Sequence, residues 1–140
     1  MELNKSQLKA VQTIYRNVAV NAGAGTGKTK VLTERYIYLL EHGDLVKYDE
    51  IESIVAITFT NKATQEMVER IRQEIKNNIS RGNKWRRFYR DLERANISTI
   101  HGFCAKILRE NPIEAKIDPY FEVLNDVLSS QLLSESILSV

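Results

Sequence analysis

Apolar positions recur at helical spacing from Asn4 to Tyr15, through Leu8, Val11 and Tyr15, and Asn4 or Ser6 can cap such a helix. The period then shortens: Val18 and Val20 alternate with small or polar residues, which predicts a brief strand over Asn17 to Asn21. A second helical stretch runs from about Gly27 to Leu40, with Val31, Leu32, Tyr36 and Leu39 or Leu40 facing inward. His42-Gly43 predicts its stop, because glycine adopts the left-handed conformation that ends many helices.

Ile54-Val55-Ala56-Ile57-Thr58-Phe59 is a near-continuous apolar run rich in β-branched residues, the pattern of a parallel strand covered on both faces. After Asn61 a long helix is predicted, its apolar positions Ala63, Met67, Ile71, Ile75 and Ile79 each four residues apart. Glu66 and Arg70 are spaced to support it as an ion pair. Gly82 breaks the chain. Lys84 to Ala95 is basic and amphipathic with a stripe of Trp85, Phe88 and Leu92. Asn96 to Ile100 predicts a third strand and Phe103 to Arg109 a helix, followed by an irregular stretch between Pro112 and Pro119. A last helix is expected over Asp126 to Ile137, with Leu128, Leu132 and Leu133 inward.

Strands alternating with helices in this order define an α/β fold with a parallel sheet. Right-handed crossovers place the C-terminal ends of all three strands on one edge. No internal repeat is visible, and Ser139-Val140 carries no cap or closing strand, so the chain reads as cut rather than complete.

Composition changes this picture little. The 140 residues are 43% hydrophobic, enough for one globular domain, and the net charge of +2 says little about partners. The single cysteine, Cys104, excludes an internal disulfide and is expected as a small buried apolar residue; no Cys/His cluster has metal-ligand spacing. Met1 to Gln12 has no signal-peptide core and no apolar run reaches membrane length, so a soluble, cytoplasmic protein without a membrane partner is expected.

Candidate chemistry concentrates in Ala22-Gly23-Ala24-Gly25-Thr26-Gly27-Lys28-Thr29. Glycines at alternate positions let consecutive backbone N–H groups turn toward phosphate oxygens. The helix that follows adds its own free N–H groups and dipole. Lys28 is placed to reach the β- and γ-phosphates and Thr29 to offer a hydroxyl to Mg²⁺, which makes them the candidate catalytic pair and Thr29 the metal ligand. Ala22 stands where the motif usually has its first glycine, tolerable if its dihedrals are ordinary. The loop alone does not separate ATP from GTP.

Leu3-Asn4-Lys5-Ser6-Gln7 with Ala10-Val11 resembles the glutamine motif of the superfamily-one DNA helicases, the UvrD, Rep and PcrA group. The resemblance implies that Gln7 reads the adenine edge, a task suited to an amide that both donates and accepts, and that ATP is the cofactor. Gly27-Lys28-Thr29-Lys30-Val31-Leu32 to Arg35 is similar to the family's continuation of the loop, which assigns Arg35 to the nucleotide site; a surface salt bridge on the helix is the other reading. Thr58-Phe59-Thr60-Asn61-Lys62-Ala63 with Glu66-Met67 resembles motif Ia, and Ser98-Thr99-Ile100-His101-Gly102-Phe103-Cys104 resembles motif Ib. Both imply contacts with single-stranded DNA.

Thr58, Thr60, Asn61, Thr99 and His101 fall at expected strand edges, where α/β folds place ligands and where hydroxyls and amides suit phosphates. Phe59 and Phe103 either stack on bases or belong to the core. No partner at a diagnostic spacing makes His101 a catalytic acid or base. Arg81, Lys84, Arg86, Arg87, Arg90 and Arg94 read either as a DNA-binding face or as a solvated basic helix.

Ile97 to Cys104, then Ile117-Asp118-Pro119-Tyr120-Phe121-Glu122-Val123-Leu124, resembles the AddA-type, RecB-like branch, members of helicase–nuclease complexes that process double-strand breaks. This implies that residues 1–124 are the N-terminal part of a RecA-like domain, 1A, and that 125–140 begin an inserted helical domain, 1B. The partners it implies are double-stranded DNA ends and a second helicase–nuclease subunit. No Asp-Glu pair ends a strand, so binding with negligible hydrolysis and no unwinding is expected of this chain. The competing readings are a non-catalytic nucleotide- or DNA-binding module and an unrelated P-loop kinase.

Overall fold

The computed structural model describes residues 3–23, 25–43 and 51–138. Ala24 and the chain end at Ser139-Val140, both invoked above, lie outside the described residues. In order the elements are helix α1 (Lys5–Gln12), α2 (Lys28–His42), strand β1 (Val55–Thr58), α3 (Asn61–Asn77), α4 (Asn83–Asp91), β2 (Asn96–Thr99), α5 (Ile100–Glu110), α6 (Pro112–Ala115) and α7 (Asp126–Leu138). Single 3-10 turns at Ile51–Ser53, Ile79–Arg81 and Leu92–Arg94 lead into or out of them. None of the helices among the described residues is long and apolar enough to cross a membrane. The chain divides into two compact units, Met1–Ile100 and His101–Val140.

In the first unit β1 and β2 pair in parallel, in the register Val55 with Asn96, Ala56 with Ile97, Ile57 with Ser98 and Thr58 with Thr99. The mixed α/β class with a parallel sheet is therefore present, with two strands among the described residues. The strand expected over Asn17 to Asn21 is not formed, and Val18 and Val20 are exposed. Alternation is a local signal, whereas a strand needs a neighbour to complete its ladder, and β1 and β2 are paired with each other.

The main core gathers Tyr36, Ile37 and Leu40 of α2, Met67, Ile71 and Ile75 of α3, and Trp85, Phe88 and Leu92 around α4, closed by Ile51, Ala56 and Ile97. The spacing of four along α3 and the stripe of α4 are borne out. Trp85 and Phe88 meet edge to face at 6.0 Å, and burying each such side chain stabilises the fold by roughly 1.5–3 kcal/mol. A separate small cluster joins Ala10 and Val11 of α1 to Val31, with Leu3 and Tyr38 against it. Helix α2 therefore buries two opposite faces, which leaves Leu32 exposed on the flank between them rather than inward.

Several local expectations are corrected. Helix α1 ends at Gln12, and Leu8 and Tyr15 are exposed while Ala10 and Val11 are buried. Helix α2 stops at Gly43 as expected, but with φ −76°, so the left-handed conformation is not what ends it. Val55 and Ile57 are exposed and only the Ala56 face of β1 is covered, since the core lies on one side of the two strands. Glu66 and Arg70 form no ion pair; the pair on α3 is Arg72 with Glu69 at 3.8 Å. Gly82 breaks the chain with φ +145°, a conformation L side chains rarely adopt.

In the second unit Asn125 caps α7, its Oδ1 accepting from the Leu128 N–H at 2.9 Å. Leu128, Leu132 and Leu133 are exposed, against expectation, as is Cys104 on α5. An apolar spacing marks a helix face but cannot supply the surface that covers it.

Candidate nucleotide site and strand-edge residues

The glycine loop turns on two left-handed residues, Gly25 at φ +74° and Gly27 at φ +86°. A side chain at either would strain the backbone, and at Gly27 its Cβ would also lie 3.4 Å from Gln7 Nε2. Gly27 is the N-cap of α2 and brings no side chain to its first-turn N–H groups. By contrast, α1 is capped by Asn4 and α3 by Thr60. The start of α2 thus keeps its donors and its positive dipole end for an external acceptor.

Within the loop, Thr26 Oγ1 donates to the Gly23 carbonyl at 2.7 Å. The Lys28 ammonium donates to the carbonyls of Ala22 at 2.7 Å and Gly23 at 2.6 Å. This folds the lysine across the mouth of the loop, where anionic oxygens would find it. Thr29 is exposed on the first turn of α2, and its carbonyl accepts from the Thr33 hydroxyl at 3.0 Å. Ala24, also assigned to this site, lies outside the described residues. Ammonium, uncapped N–H groups and a neighbouring hydroxyl are the donor set a magnesium–triphosphate requires.

Gln7 sits at the edge of this loop. Its Nε2 donates to the Thr26 carbonyl at 3.2 Å and its Oε1 accepts from the Asn4 N–H at 2.9 Å. The reciprocal bond, Gln7 N–H to Asn4 Oδ1 at 2.9 Å, completes a capping box on α1. A cleft of ≈ 590 Å³ opens beside it, lined among others by Gln7, Ala10, Thr13, Asn17, Val20 and Thr26. An amide carries two lone pairs and two N–H groups, so each end of Gln7 retains one for a base edge at that cleft.

Arg35 occupies neither position anticipated for it as a phosphate contact or a surface ion pair. Its guanidinium donates to the α1 carbonyls of Ala10 at 2.5 Å and Val11 at 3.4 Å and to that of Thr13 at 2.7 Å, closing the end of the helix. The spacing of Arg35 relative to the loop could not reveal this, because the acceptors lie more than twenty residues away in sequence.

The ends of the two strands bring Thr58 and Thr99 side by side in register. Thr58 Oγ1 lies 2.6 Å from Thr64 Oγ1 and donates to the Thr60 carbonyl at 3.1 Å. Thr60 Oγ1 accepts from the Ala63 N–H at 3.1 Å as the cap of α3, and Asn61 is exposed on the first turn. Phe59 is 99% exposed, which removes it from the core. In the second unit His101 is exposed and Phe103 half-buried, both inside the first turn of α5 rather than on a strand edge. Thr64 went unnoticed in the sequence; a hydroxyl four residues after a helix cap is the pattern that marks it. Among the described residues no group of three or more His, Cys, Asp or Glu could hold a metal.

Residues 3–139 match the family of the UvrD/REP helicase N-terminal domain, and the chain belongs to that family. Within it, the chain is 36% identical to the ATP-dependent helicase/nuclease subunit (AddA) of Lactobacillus johnsonii over 98% of its own length and 11% of the relative's. It is also 36% identical to the protein of that name in Pediococcus pentosaceus (97% of this chain, 11% of the relative) and 37% to that of Natranaerobius thermophilus (95% and 10%). The chain thus spans about a tenth of the length of these curated relatives.

Proposed function

We propose that this chain is the N-terminal ATP-binding part of an ATP-dependent single-stranded DNA translocase and helicase of the AddA helicase/nuclease type, which works in recombination and double-strand-break repair in the cytoplasm. The observation that carries this reading is Gln7 bonded to the Thr26 carbonyl beside the uncapped start of α2. It joins a group able to read adenine to a loop able to hold phosphates. Lys28 would neutralise the β- and γ-phosphates, and Thr29 would ligate Mg²⁺, which supplies charge stabilisation to phosphoryl transfer.

On this reading residues 1–124 contribute to a RecA-like domain 1A and residues 125–140 to the start of a helical domain 1B. Thr58, Phe59, Thr60, Asn61, Thr99, His101 and Phe103 follow single-stranded DNA. The whole protein would work on double-stranded ends together with another subunit, in keeping with the word subunit in the relatives' name. Neither β1 nor β2 ends in the Asp-Glu pair that would position water and metal, so this chain binds nucleotide with negligible turnover and no unwinding.

Calorimetric titration with ATP and ADP, with and without single-stranded DNA, tests the reading. Binding of both nucleotides in preference to GTP is expected, with loss in Lys28→Ala. DNA-stimulated hydrolysis that disappears in Lys28→Ala would overturn the claim of a binding half-site; failure to bind any nucleotide would overturn the function.

A further inference from the structure

The charge of the chain is unevenly placed. Residues 81–94 hold six cations, Arg81, Lys84, Arg86, Arg87, Arg90 and Arg94, against two carboxylates, Asp91 and Glu93. That is a net +4 within a chain whose total is +2, so all the remaining residues together carry −2. The outermost cations are tied to other elements, Arg81 to Glu41 and Arg94 to Glu52 at 2.6 Å. Between them Lys84, Arg86, Arg87 and Arg90 line one concavity of ≈ 480 Å³ along α4 with Asn83. Arg86 and Arg90 are a helical turn apart and both exposed. Arg90 is held by Asp91 at 2.9 Å, while the stems of Lys84 and Arg87 lie over the Phe88 ring.

The aromatic residues of α4 decide what can dock there. Trp85 and Phe88 are 4% and 1% exposed, committed to the core, and Tyr89 does not line the concavity. No ring is presented on which an unpaired base could stack, which is how single strands are held. Only cations remain, on a rigid helix anchored through its buried face. A duplex, which keeps its bases inside and shows two closely charged phosphate rows, is the nucleic acid that fits such a surface.

We propose that the basic face of α4 is a docking site for the phosphate backbone of double-stranded DNA, independent of base sequence. It goes beyond the proposed function, because it requires neither the glycine loop nor the strand-end threonines. Titration of the 140-residue chain with a fluorescent blunt duplex, and with one of its strands alone, reads it directly. Duplex binding tighter than single-strand binding to α4 is expected, with log K falling against log salt at a slope of about −3 to −4 for some four phosphates neutralised. Arg86→Glu/Arg90→Glu should weaken duplex binding about tenfold or more and reduce the slope. Arg86→Ala should do so in part, in a variant whose helix content is checked by circular dichroism. Lys5→Glu/Lys76→Glu, the same charge change elsewhere, should do neither, and Lys28→Ala should lose nucleotide but keep duplex. Equal losses in the two charge-reversed doubles, no duplex binding at low salt, or unaltered affinity in Arg86→Glu/Arg90→Glu would overturn the proposal. Loss of nucleotide binding alone would count against the proposed function and leave this site standing.

Discussion

The side-chain amide of Gln7 is bonded to the main chain of Thr26, Nε2 to carbonyl oxygen at 3.2 Å, across nineteen residues of sequence. Through the capping box with Asn4 the same side chain also fixes the start of α1. One residue thereby couples the conformation of the phosphate loop to the helix in front of it.

Replacing Gln7 by alanine removes both links. Loss of the capping box should cost about 1 kcal/mol, visible as an earlier midpoint in urea unfolding. ATP affinity should fall in the same variant while discrimination against GTP disappears. If Gln7→Ala bound ATP and GTP with the wild-type preference, its assignment to the adenine edge would be wrong.

Arg35 holds the opposite end of α1. Its guanidinium satisfies carbonyls that would otherwise lack partners, and hydrogen bonds from a charged donor contribute about 1.5–3 kcal/mol. Arg35→Ala is expected to lower thermal stability by several degrees. Arg35→Lys should recover part of that loss, since an ammonium lacks the planar fork. Nucleotide affinity measured under conditions where both variants are folded should change less than in Lys28→Ala.

Tyr36 gives the fold an alkaline limit. The residue is 2% exposed, and burial raises its phenol above the ordinary value of 10.0. A group whose pKa is raised on folding contributes stability that is fully present below its unfolded pKa. That contribution is lost as pH rises from about 10 toward the folded pKa, because the unfolded chain ionises first. Stability should therefore fall above about pH 10, and Tyr36→Phe should flatten that fall. The cost at neutral pH should be small, because the hydroxyl's bond to the Ile51 carbonyl is long at 3.5 Å. Denaturant midpoints measured from pH 8 to 11 check both statements.

Phe59 and Thr60 are adjacent yet separable. Phe59→Ala should leave stability within about 0.5 kcal/mol of wild type, as surface changes do, while weakening single-stranded DNA binding. Thr60→Ala should cost about 1 kcal/mol by uncapping α3. Chemical unfolding and anisotropy titration with a short oligonucleotide distinguish them; an unaltered DNA affinity in Phe59→Ala would argue against a stacking role.

Much of the architecture was legible from local pattern. The spacing of four in Met67, Ile71 and Ile75 and the stripe Trp85, Phe88 and Leu92 name buried faces correctly, because each side chain's direction follows from its place on the helix. The loop from Ala22 to Thr29 is equally local, since its chemistry comes from adjacent backbone groups and one lysine. Thr58 and Thr99 were expected on a shared edge, and parallel pairing of β1 with β2 puts them there.

Tertiary structure decided what depends on partners distant in the chain. Val18 and Val20 have the alternation of a strand but no ladder neighbour; Leu32 has a helical spacing but lies between two packed faces of α2. Arg35 finds carbonyls and Gln7 finds Thr26, and neither acceptor has a side-chain signature that sequence could display. The sequence by itself determined the phosphate loop and the buried stripes, because both arise from residues within one or two turns of each other. Which cations of α4 are held by Glu41 and Glu52 and which line the open concavity was settled only when separate elements met. Periodicity specifies a face, and only packing specifies what lies against it.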